Sequence, residues 1–404
     1  MFTELDQLHD PDTGKRKLAE VLDQVRGGRG VSYPALPWLQ TNRSGQPTLL
    51  FDLNAIEQRM LKLANISLRS DVMPLLAVKS SEEPEFLSLA NRHLAGFDVS
   101  NKAEYGALPD NLTDKLVTVT GPILESGLDS FTTKGNAALV TLDSQVQLDQ
   151  YFSESPSVGY MLRVQGSALL EGYDPPDSAY YPATRFGFSI AEIRELLGNP
   201  RLRDNPPAGF HVHHGSEKNQ AMTYRRIIEG LGRLTELLPH PARYINLGGG
   251  WHATHDEEIE DVLLQARKRF PLPCKIIMEP GRWYAGNAGF ATGVIVNLTR
   301  NGDMYKCTLD LSGKCHLHWS GAKLLQDVKP EYNKANLVQF FGPTCYESDY
   351  IGQFLVPFTG DFSRDTGIAP GKQVIFSNIS TYSAAWNSSF NGIPEADVVW
   401  WRSA

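Results

Sequence analysis

Segments typical of β-strands alternate with helical segments along more than half of this 404-residue chain, and no other feature restricts its fold as strongly. The run LLFDL (49–53) predicts a strand, and the helical pattern AIEQRMLKLANI follows it. Further strand-like runs continue the alternation: MPLLAVKS, GFDVS, LVTVTG, ALVTLD, VGYMLRV, GFHVHHG, YINLGGG and CKIIMEPG. Such alternation predicts a parallel β/α architecture, and the number of repeats favours a TIM-like (β/α)8 barrel.

The pattern changes near residue 290. The runs ATGVIVNLTR, MYKCTLDLS, NLVQFFGP and KQVIFSNIS are rich in β-forming residues, and Gly, Pro, Asn and Asp lie between them. We therefore predict an α/β protein with a barrel over residues 49–289 and a C-terminal all-β domain over 290–404. Residues 1–48 are predicted to form an N-terminal extension, polar and helical to about residue 30.

Composition excludes several classes of function. The net charge of −8 argues against nucleic acid as a partner, because phosphate binding requires a basic surface. No apolar run approaches the roughly 20 residues of a membrane-spanning helix, and the N-terminus lacks the order of a secretory signal. The four cysteines (274, 307, 315 and 345) form no CxxC pair and no zinc-like spacing. We therefore expect a cytoplasmic enzyme with reduced thiols, no metal and no membrane partner.

Lys79 ends the apolar run that begins at Leu75. Burial at the end of a strand would lower the pKa of this lysine, and its amine could then form a Schiff base with an aldehyde cofactor. A lone lysine after an apolar strand more often reaches solvent. Its position favours a chemical role, because catalytic groups collect where the strands of a β/α barrel end.

Two segments are suited to a planar ring and its phosphate. Gly248, Gly249 and Gly250 follow the strand YINL, and successive glycines let backbone N–H groups approach a phosphate, although a flexible turn has the same sequence. The segment HVHHGS (211–216) raises the possibility of a metal site, but no second group of ligands accompanies it. We therefore assign one imidazole to ring stacking and Ser216 to the phosphate, with plain core histidines as the alternative for His211 and His214.

The motif Glu279-Pro280-Gly281-Arg282 is the most specific single motif in the chain. A carboxylate at the end of a barrel strand can keep a pyridine nitrogen protonated, which makes pyridoxal 5'-phosphate an electron sink. Without a role at the cofactor, Arg282 would be interpreted as part of a surface ion pair, which stabilises a protein little. From its local sequence alone, Cys345 in the run FGPTC is as consistent with a buried, inert thiol as with a reactive one.

Taken in order, these motifs resemble the fold-type III pyridoxal phosphate decarboxylases, which act on ornithine, arginine and diaminopimelate and are related to alanine racemase. The resemblance runs from about residue 49 to 395 and includes FDVSNKAE (97–104) and TYSAAWNSSFNG (381–392). It implies pyridoxal 5'-phosphate as cofactor and Lys79, Glu279 and Cys345 as catalytic residues. It also implies a set of cofactor-binding residues: Lys79, Asp98, Glu104, Arg163, His213, Ser216, Gly248, Gly249, Gly250, Glu279, Gly281, Arg282 and Tyr382.

The resemblance further implies how two chains assemble. Members of this family form head-to-tail homodimers with active sites at the interface, so Cys345 would enter the site of the partner subunit. In relatives, a strand of the N-terminal extension joins the β domain, and residues of about 30–48 are expected to do so here.

One departure from the family pattern bears on the amino-acid substrate. Relatives that act on diamino acids commonly have an acid after the cysteine, and this acid binds the distal amine, whereas Tyr346 stands here, with Glu347 and Asp349 following. A phenol cannot make the charge-assisted bond that recognises an ammonium group. Either Glu347 takes over or the distal end of the substrate is not a free amine. The segment VPFTGDFSRDTGIAPGK also departs from the expected spacing, and both departures favour a specialised pathway such as siderophore or antibiotic synthesis.

Two alternatives to a decarboxylase stay open from the sequence. An amino-acid racemase shares the barrel and the β domain, but an arginine faces the ring nitrogen in alanine racemases, so Glu279 favours decarboxylation. An inactive regulatory homologue is the second alternative, and the joint presence of Lys79, Glu279 and Cys345 argues against it.

Overall fold

The computed structural model describes residues 2–9, 14–27, 30–41, 45–170, 184–215 and 220–403. Its strands are β1 Phe2–Leu5, β2 Thr48–Asp52, β3 Val72–Ala77, β4 Gly96–Val99, β5 Leu116–Thr120, β6 Ala137–Leu142, β7 Gly159–Val164, β8 Gly209–Val212, β9 Tyr244–Asn246, β10 Lys275–Met278, β11 Gly289–Asn301, β12 Met304–Leu309, β13 Lys323–Asp327, β14 Lys334–Phe341, β15 Tyr350–Phe358, β16 Gln373–Ser377 and β17 Asp397–Trp401. Its α-helices are α1 Gly14–Arg26, α2 Leu36–Thr41, α3 Leu53–Ser70, α4 Pro84–His93, α5 Lys102–Ala107, α6 Gln145–Glu154, α7 Gly166–Leu169, α8 Ile190–Gly198, α9 Pro200–Asp204, α10 Gln220–Thr235, α11 Asp256–Arg269, α12 Arg282–Ala285, α13 Phe362–Thr366 and α14 Tyr382–Ala385. Short 3-10 turns lie at Val78–Ser80, Leu128–Thr132, Trp251–Ala253 and Gly286–Ala288.

The chain divides into two compact units. One unit, here called the barrel unit, is Glu57–Tyr284, and the other, the sheet unit, combines Met1–Ile56 with Ala285–Ala404. The predicted fold class is confirmed, because one unit holds a closed parallel barrel and the other is mostly sheet.

The barrel closes in the order β10-β3-β4-β5-β6-β7-β8-β9, and each described neighbouring pair is parallel. An apolar cluster fills one part of it with side chains from many strands: Leu75, Leu116, Leu139, Met161, Ala208 and Ile277. Parallel strands point their carboxyl ends the same way, so residues at and just beyond those ends come together on one face of the barrel. The candidate catalytic lysine and acids lie at these ends.

The sheet unit is built from both ends of the chain. Its main path runs β1-β13-β16-β11-β12-β14-β15, while β2 pairs with β11 and with β17. Strand β11 is long enough to pair with β2 and β16 near its start and with β12 near its end, and its register shifts between Ile295 and Asn297. Buried Leu36 and Leu39 of α2 pack in one cluster with Leu50 and Phe290.

Two elements differ from the sequence-based expectations. The predicted strand at 49–53 forms as β2, but it belongs to the sheet unit instead of opening the barrel, since its partners are β11 and β17. Residues 2–5 were expected to be helical, and they form β1, which is antiparallel to β13. In both segments the apolar residues suit a strand, and tertiary pairing determines which sheet receives it.

Within the described residues, no helix is both long enough and apolar enough to cross a membrane. No group of three or more His, Cys, Asp or Glu side chains in the same residues is arranged to hold a metal ion.

Candidate active site

Lys79 lies in the 3-10 turn Val78–Ser80, directly after β3. The turn is held by the Ser80 hydroxyl, which donates to the Ala77 carbonyl at 2.7 Å, and by the backbone N–H of Ser81, which donates to Val78 at 2.9 Å. The side chain of Lys79 is 38% exposed, and its Nζ lies 2.9 Å from Oδ2 of the buried Asp98. The expected burial of this lysine is therefore only partial, and its amine lies against a buried acid.

Two buried carboxylates share one hydroxyl group. The Thr118 Oγ1 lies 3.0 Å from Oδ1 of Asp98 and 3.1 Å from Oε1 of Glu279. A hydroxyl carries a single proton, so it can donate to only one of these acids at a time. Burial raises the pKa of Asp98, the charge of Glu279 raises it further, and Lys79 opposes both effects. Asp98 thus contacts the amine of Lys79 directly and reaches Glu279 through the Thr118 hydroxyl.

Glu279 is held by donors from two further strands. The amide Nδ2 of Asn246 lies 2.5 Å from Oε1 of Glu279, and Nε2 of His211 lies 3.4 Å from Oε2. Burial, together with the charge of Arg163, lowers the pKa of His211 well below its ordinary value, so the ring is neutral and its Nε2–H faces the carboxylate. Glu279 itself is 3% exposed, and a carboxylate buried this deeply requires such partners.

The three glycines form a defined loop. The backbone N–H of Gly249 donates to Nδ1 of His213 at 3.1 Å, which places this imidazole against the loop. Gly248 and Gly250 have φ angles of +64° and +98°, and a Cβ at Gly250 would lie 2.0 Å from the Gly215 carbonyl oxygen. These two positions therefore require glycine.

Aromatic side chains support the same loop from behind. The rings of Tyr224 and Trp251 stack at 4.0 Å with an interplanar angle of 3°. The Tyr224 hydroxyl donates to the Gly249 carbonyl, and the Trp251 Nε1–H donates to the Gly248 carbonyl at 2.8 Å. The carbonyls of Gly248 and Gly249 therefore already accept hydrogen bonds from protein side chains.

Two arginines lie on the same barrel unit. Arg163 is buried, its NH1 is 4.0 Å from Oδ2 of Asp143, and its guanidinium lies 4.4 Å from the centre of the Phe186 ring. Arg282 begins α12, and its NH1 lies 3.1 Å from Nε2 of His252. Burial and the adjacent guanidinium lower the pKa of His252 to about 3, so the ring is neutral and accepts from the arginine.

The remaining barrel residues predicted from the sequence are placed as follows. Glu104 is buried, its Oε2 accepts the Ser100 N–H at 2.7 Å, and burial raises its pKa. Gly281 is buried, and its carbonyl accepts the Tyr284 N–H. Ser216 lies outside the described residues. Thr118, Asn246 and His252 were missed, and His211 was assigned to the core as one alternative.

In the sheet unit, Cys345 lies on the connection between β14 and β15, and its side chain is exposed. This connection is held by Asp349, whose carboxylate is buried. It accepts hydrogen bonds from the hydroxyls of Ser312 and Thr344, at 2.9 Å and 2.8 Å, and from the backbone N–H of Lys314 at 3.1 Å. A Cβ at Gly342 would lie 2.1 Å from Oδ2 of Asp349, so the backbone packs directly on the carboxylate.

The side chains next to Cys345 point outward. Tyr346 is 59% exposed, and Glu347 is exposed as well. Asn391 Nδ2 lies 3.9 Å from the Cys345 sulfur, so the segment 381–392 reaches this loop. Tyr382 is partly buried at the start of α14, and its backbone N–H donates to the Ser380 hydroxyl at 3.2 Å.

The barrel residues fit a pyridine ring with an aldehyde and a phosphate. A continuous set of contacts joins an amine, at Lys79, to a buried acid, at Glu279, and then to a glycine loop through Asn246. These are the three kinds of group that an aldehyde carbon, a pyridine nitrogen and a phosphate require. The donor set is therefore that of a pyridoxal phosphate site on a β/α barrel.

Comparison with known proteins agrees with this class. A family model described as pyridoxal-dependent decarboxylase, pyridoxal binding domain, matches residues 53–286. Antizyme inhibitor 2 of Xenopus laevis is 23% identical over 360 residues, which cover 81% of this chain and 75% of that protein. The chloroplastic ornithine decarboxylase of Nicotiana glauca is 23% identical over 381 residues, 88% of this chain and 83% of that protein.

The fold is also that of a solved structure. The arginine decarboxylase of Paramecium bursaria Chlorella virus, bound to agmatine, has a TM-score of 0.73 and 21% identity, and the alignment covers 91% of this chain and 99% of that one. The chain belongs to the pyridoxal-dependent decarboxylase family, as the sequence motifs predict. Its class is therefore that of the pyridoxal 5'-phosphate-dependent amino-acid carboxy-lyases.

Proposed function

We propose that this protein removes the α-carboxylate of an amino acid whose distal end is not a free amine. The observation that carries the catalytic part is the unbroken path of contacts from Lys79 through Asp98 and Thr118 to Glu279. The observation that carries the substrate class is the exposed Tyr346, which stands where an acid would bind a distal ammonium group.

Each barrel residue has one task in this proposal. When bound, pyridoxal phosphate accepts into its ring the electron pair left by the departing carboxylate. Lys79 would hold the cofactor covalently, and Glu279 would hold a proton on the ring nitrogen. His213 would lie against the ring. The glycine loop would let the phosphate approach the backbone closely because it carries no Cβ atoms, and Arg282 would bind the phosphate through its charge.

Protonation of the α-carbon is assigned to the sheet unit. After CO2 leaves, the C–CO2 bond is replaced by a C–H bond, and the Cys345 thiol would deliver that proton. The exposure of Cys345 supports this role, since the three cysteines at 274, 307 and 315 are buried. Burial raises the pKa of Cys274 to about 11 and that of Cys307 to about 12, so neither is a useful proton donor and acceptor near neutrality.

The acids near Tyr346 support a substrate without a distal ammonium group. Asp349 is occupied by two hydroxyls and two backbone N–H groups, so it is not available to a substrate amine. Glu347 is exposed in the single chain, and no hydrogen bond among the described residues orients its carboxylate towards a substrate. A distal amide or ester, as in an acylated or citrate-linked diamino acid, would suit the phenol as a hydrogen-bonding partner. Such substrates favour a specialised pathway of the siderophore or antibiotic kind.

Matched pairs of substrates test this class. The protein is incubated with pyridoxal phosphate in D2O, together with free lysine, ornithine, arginine and diaminopimelate, and with lysine and ornithine acylated at the distal nitrogen. Mass spectrometry identifies products that have lost CO2 and gained one deuterium at Cα. We expect the acylated substrates to be preferred. Preference for the free amino acids would refute the substrate class, and deuterium with the carboxylate retained would identify a racemase.

The variant Tyr346→Asp gives the matched control for specificity. The new carboxylate would make a charge-assisted bond to a distal ammonium, so the preference should move towards free diamino acids by about 10-fold or more. An unchanged ratio of the two kcat/KM values would remove Tyr346 from substrate recognition.

A second candidate function follows from the similarity to antizyme inhibitor 2. A homologue of that kind would act on another protein, and its cofactor site would have no catalytic use. Borohydride trapping of cofactor on Lys79 without CO2 release from any of the substrates would favour this candidate.

The proposed assembly is a homodimer in which each Cys345 enters the partner's site. Trp319 and Trp386 of the sheet unit are exposed and lie edge to face with ring centres 6.4 Å apart, and Tyr346 and Phe390 are exposed as well. Exposed apolar surface of this kind supports an interface. Mixing Lys79→Ala and Cys345→Ala protomers, each inactive alone, should restore about a quarter of the sites if the site is shared. No recovery, with exchange of protomers verified by mass, would refute the shared site.

The four described cysteines form no disulfide, which supports the expected cytoplasmic location. A tagged protein found only in an oxidising compartment would refute this assignment.

A further inference from the structure

Asn246 makes two side-chain hydrogen bonds to groups with different tasks. It ends β9, and its side chain is fully buried. The amide Nδ2 lies 2.5 Å from Oε1 of Glu279, and the amide Oδ1 accepts the backbone N–H of Gly248 at 2.9 Å. One planar group therefore touches both the candidate ring-nitrogen acid and the first glycine of the candidate phosphate loop.

The orientation of this amide is fixed by its partners. A backbone N–H can only donate, so the oxygen of Asn246 must face Gly248. The nitrogen then faces Glu279, which is an acceptor when it is ionised. A flipped amide would place two donors together on one side and two acceptors on the other. Register supports the contact, because Asn246 lies beside Ile277 in the β9–β10 pair, two residues before Glu279.

Aspartate has the same shape as asparagine, and comparison of the two shows what the amide contributes. An aspartate at 246 would keep the bond from Gly248, but its second oxygen would face Oε1 of Glu279 at about the distance of the present hydrogen bond. Two buried carboxyl groups so close together cannot both be ionised, so they would share one proton. The asparagine therefore places a hydrogen-bond donor, and not a second carboxyl group, at that oxygen, which also contacts the Thr118 hydroxyl shared with Asp98.

We infer that Asn246 is a positioning residue that orients the ring-nitrogen acid and, with the same amide, fixes the phosphate loop. This inference deepens the proposed function and rests on it. The position of the ring nitrogen and the position of the phosphate would be set relative to each other by one side chain. The loss of either hydrogen bond should then have its own measurable effect on the bound cofactor.

Two variants separate the two bonds. Asn246→Asp keeps the acceptor for Gly248 and removes the donor to Glu279. The absorbance of the bound cofactor should then acquire a transition with pH in a range, roughly pH 6–9, where the wild type has none. Asn246→Ala removes both bonds. Its affinity for pyridoxal phosphate should fall by about 10- to 100-fold, and the advantage of pyridoxal phosphate over pyridoxal should fall by about 10-fold. In Asn246→Asp this advantage should stay within about 3-fold of the wild type.

A control and a rescue variant keep the test interpretable. Asn136 is a buried asparagine that precedes β6, at the opposite end of the barrel strands, and its amide bonds to Tyr105, Phe131 and Ala137. Asn136→Asp should lower stability without changing the cofactor titration. The double variant Asn246→Asp/Glu279→Gln again has one carboxylate and one amide. It should recover the thermal stability lost in Asn246→Asp, and the wild-type cofactor spectrum should not return.

The proposal is overturned if the Asn246→Asp spectrum shows no transition in that pH range. It is also overturned if Asn246→Ala keeps the wild-type preference for the phosphate, because both effects are required of one amide. The wild type provides a separate check, since borohydride should trap pyridoxal phosphate on Lys79. Failure of the wild type to take up the cofactor would refute the proposed function, and this inference with it.

Discussion

The two units of this chain carry their candidate functional groups in different ways. In the barrel unit, Asp98, Glu279, His211 and Asn246 are buried and hydrogen-bonded to one another or to Thr118. In the sheet unit, the backbone beside Cys345 is held by Asp349, but the side chains at 345–347 are exposed. The groups proposed for the cofactor chemistry thus lie in a buried hydrogen-bonded network, whereas the groups proposed to meet the substrate are exposed.

The replacement Lys79→Ala should have the largest effect, because it removes the only amine proposed to hold the cofactor. We expect no borohydride-trapped cofactor, measured by peptide mass spectrometry, and a fall in turnover of more than about 10³-fold. The matched control is Lys115→Ala. Lys115 is partly buried just before β5, burial lowers its pKa, and its Nζ donates to the Leu94 carbonyl at 2.7 Å. Trapping that persists in Lys79→Ala, or disappears in Lys115→Ala, would contradict the assignment.

The replacement Cys345→Ala should lower turnover by about 10²- to 10⁴-fold, the usual contribution of a positioned proton donor. Cofactor trapping on Lys79 should be unchanged, because the thiol is not part of the barrel network. Turnover is measured as CO2 release, and the product is analysed for misplaced protons. Cys315→Ala, which removes a buried thiol of the same unit, is the control. Equal rates in both variants would end the catalytic role of Cys345.

The replacement Asp349→Ala should lower the free energy of unfolding by about 2–4 kcal/mol, because four buried or partly buried donors lose their acceptor. Chemical denaturation measures this loss. Asp361 provides the comparison, since its exposed side chain only caps α13 by accepting the Arg364 N–H at 2.8 Å, and Asp361→Ala should cost about 1 kcal/mol. If both variants lost the same stability, Asp349 would not organise the cysteine loop.

The pH dependence of stability should show the smallest effect. The pKa of His252 is about 3 in the folded chain, below its ordinary 6.5, so only the unfolded chain gains a proton between these values. Stability from this histidine is therefore complete above pH 6.5 and is lost as the pH falls, by about 2 kcal/mol at pH 5. The raised pKa of Asp98 has the opposite sign, so the measurement compares the wild type with His252→Gln. If the free energies of unfolding of the two proteins changed in parallel with pH, the lowered pKa of His252 would be refuted.

The fold class and the positions of the strand ends could be predicted from the sequence, because both depend on local patterns of apolar and turn-forming residues. Lys79 and Glu279 were found from the apolar strands before them and the motifs around them. The parent sheet of β2 was not predicted, since an apolar run specifies a strand but not its partner. That choice depends on pairing with β11 and β17, which are far away in sequence.

The contacts around Glu279 could be predicted only in part. Asn246 had one local signal, because an asparagine two residues before a glycine commonly accepts that glycine's N–H in a turn. Its bond to Glu279 depends on strand register over 33 residues and has no local pattern. Likewise, the sequence placed Asp349 among the possible acids near the substrate, and only its four hydrogen-bond donors show that it is structurally occupied.

The pairing of β2 with β17 has a consequence for how the protein is made. Strand β2 is fully apolar at Leu49, Leu50 and Phe51, and β17 lies beside it in parallel. A ribosome delivers β2 more than 300 residues before β17, so the barrel can fold while this edge of the sheet unit is still open. An open apolar edge is a site for aggregation. Truncation before Asp397 would make that transient state permanent, and such a chain should be recovered mainly in the insoluble fraction.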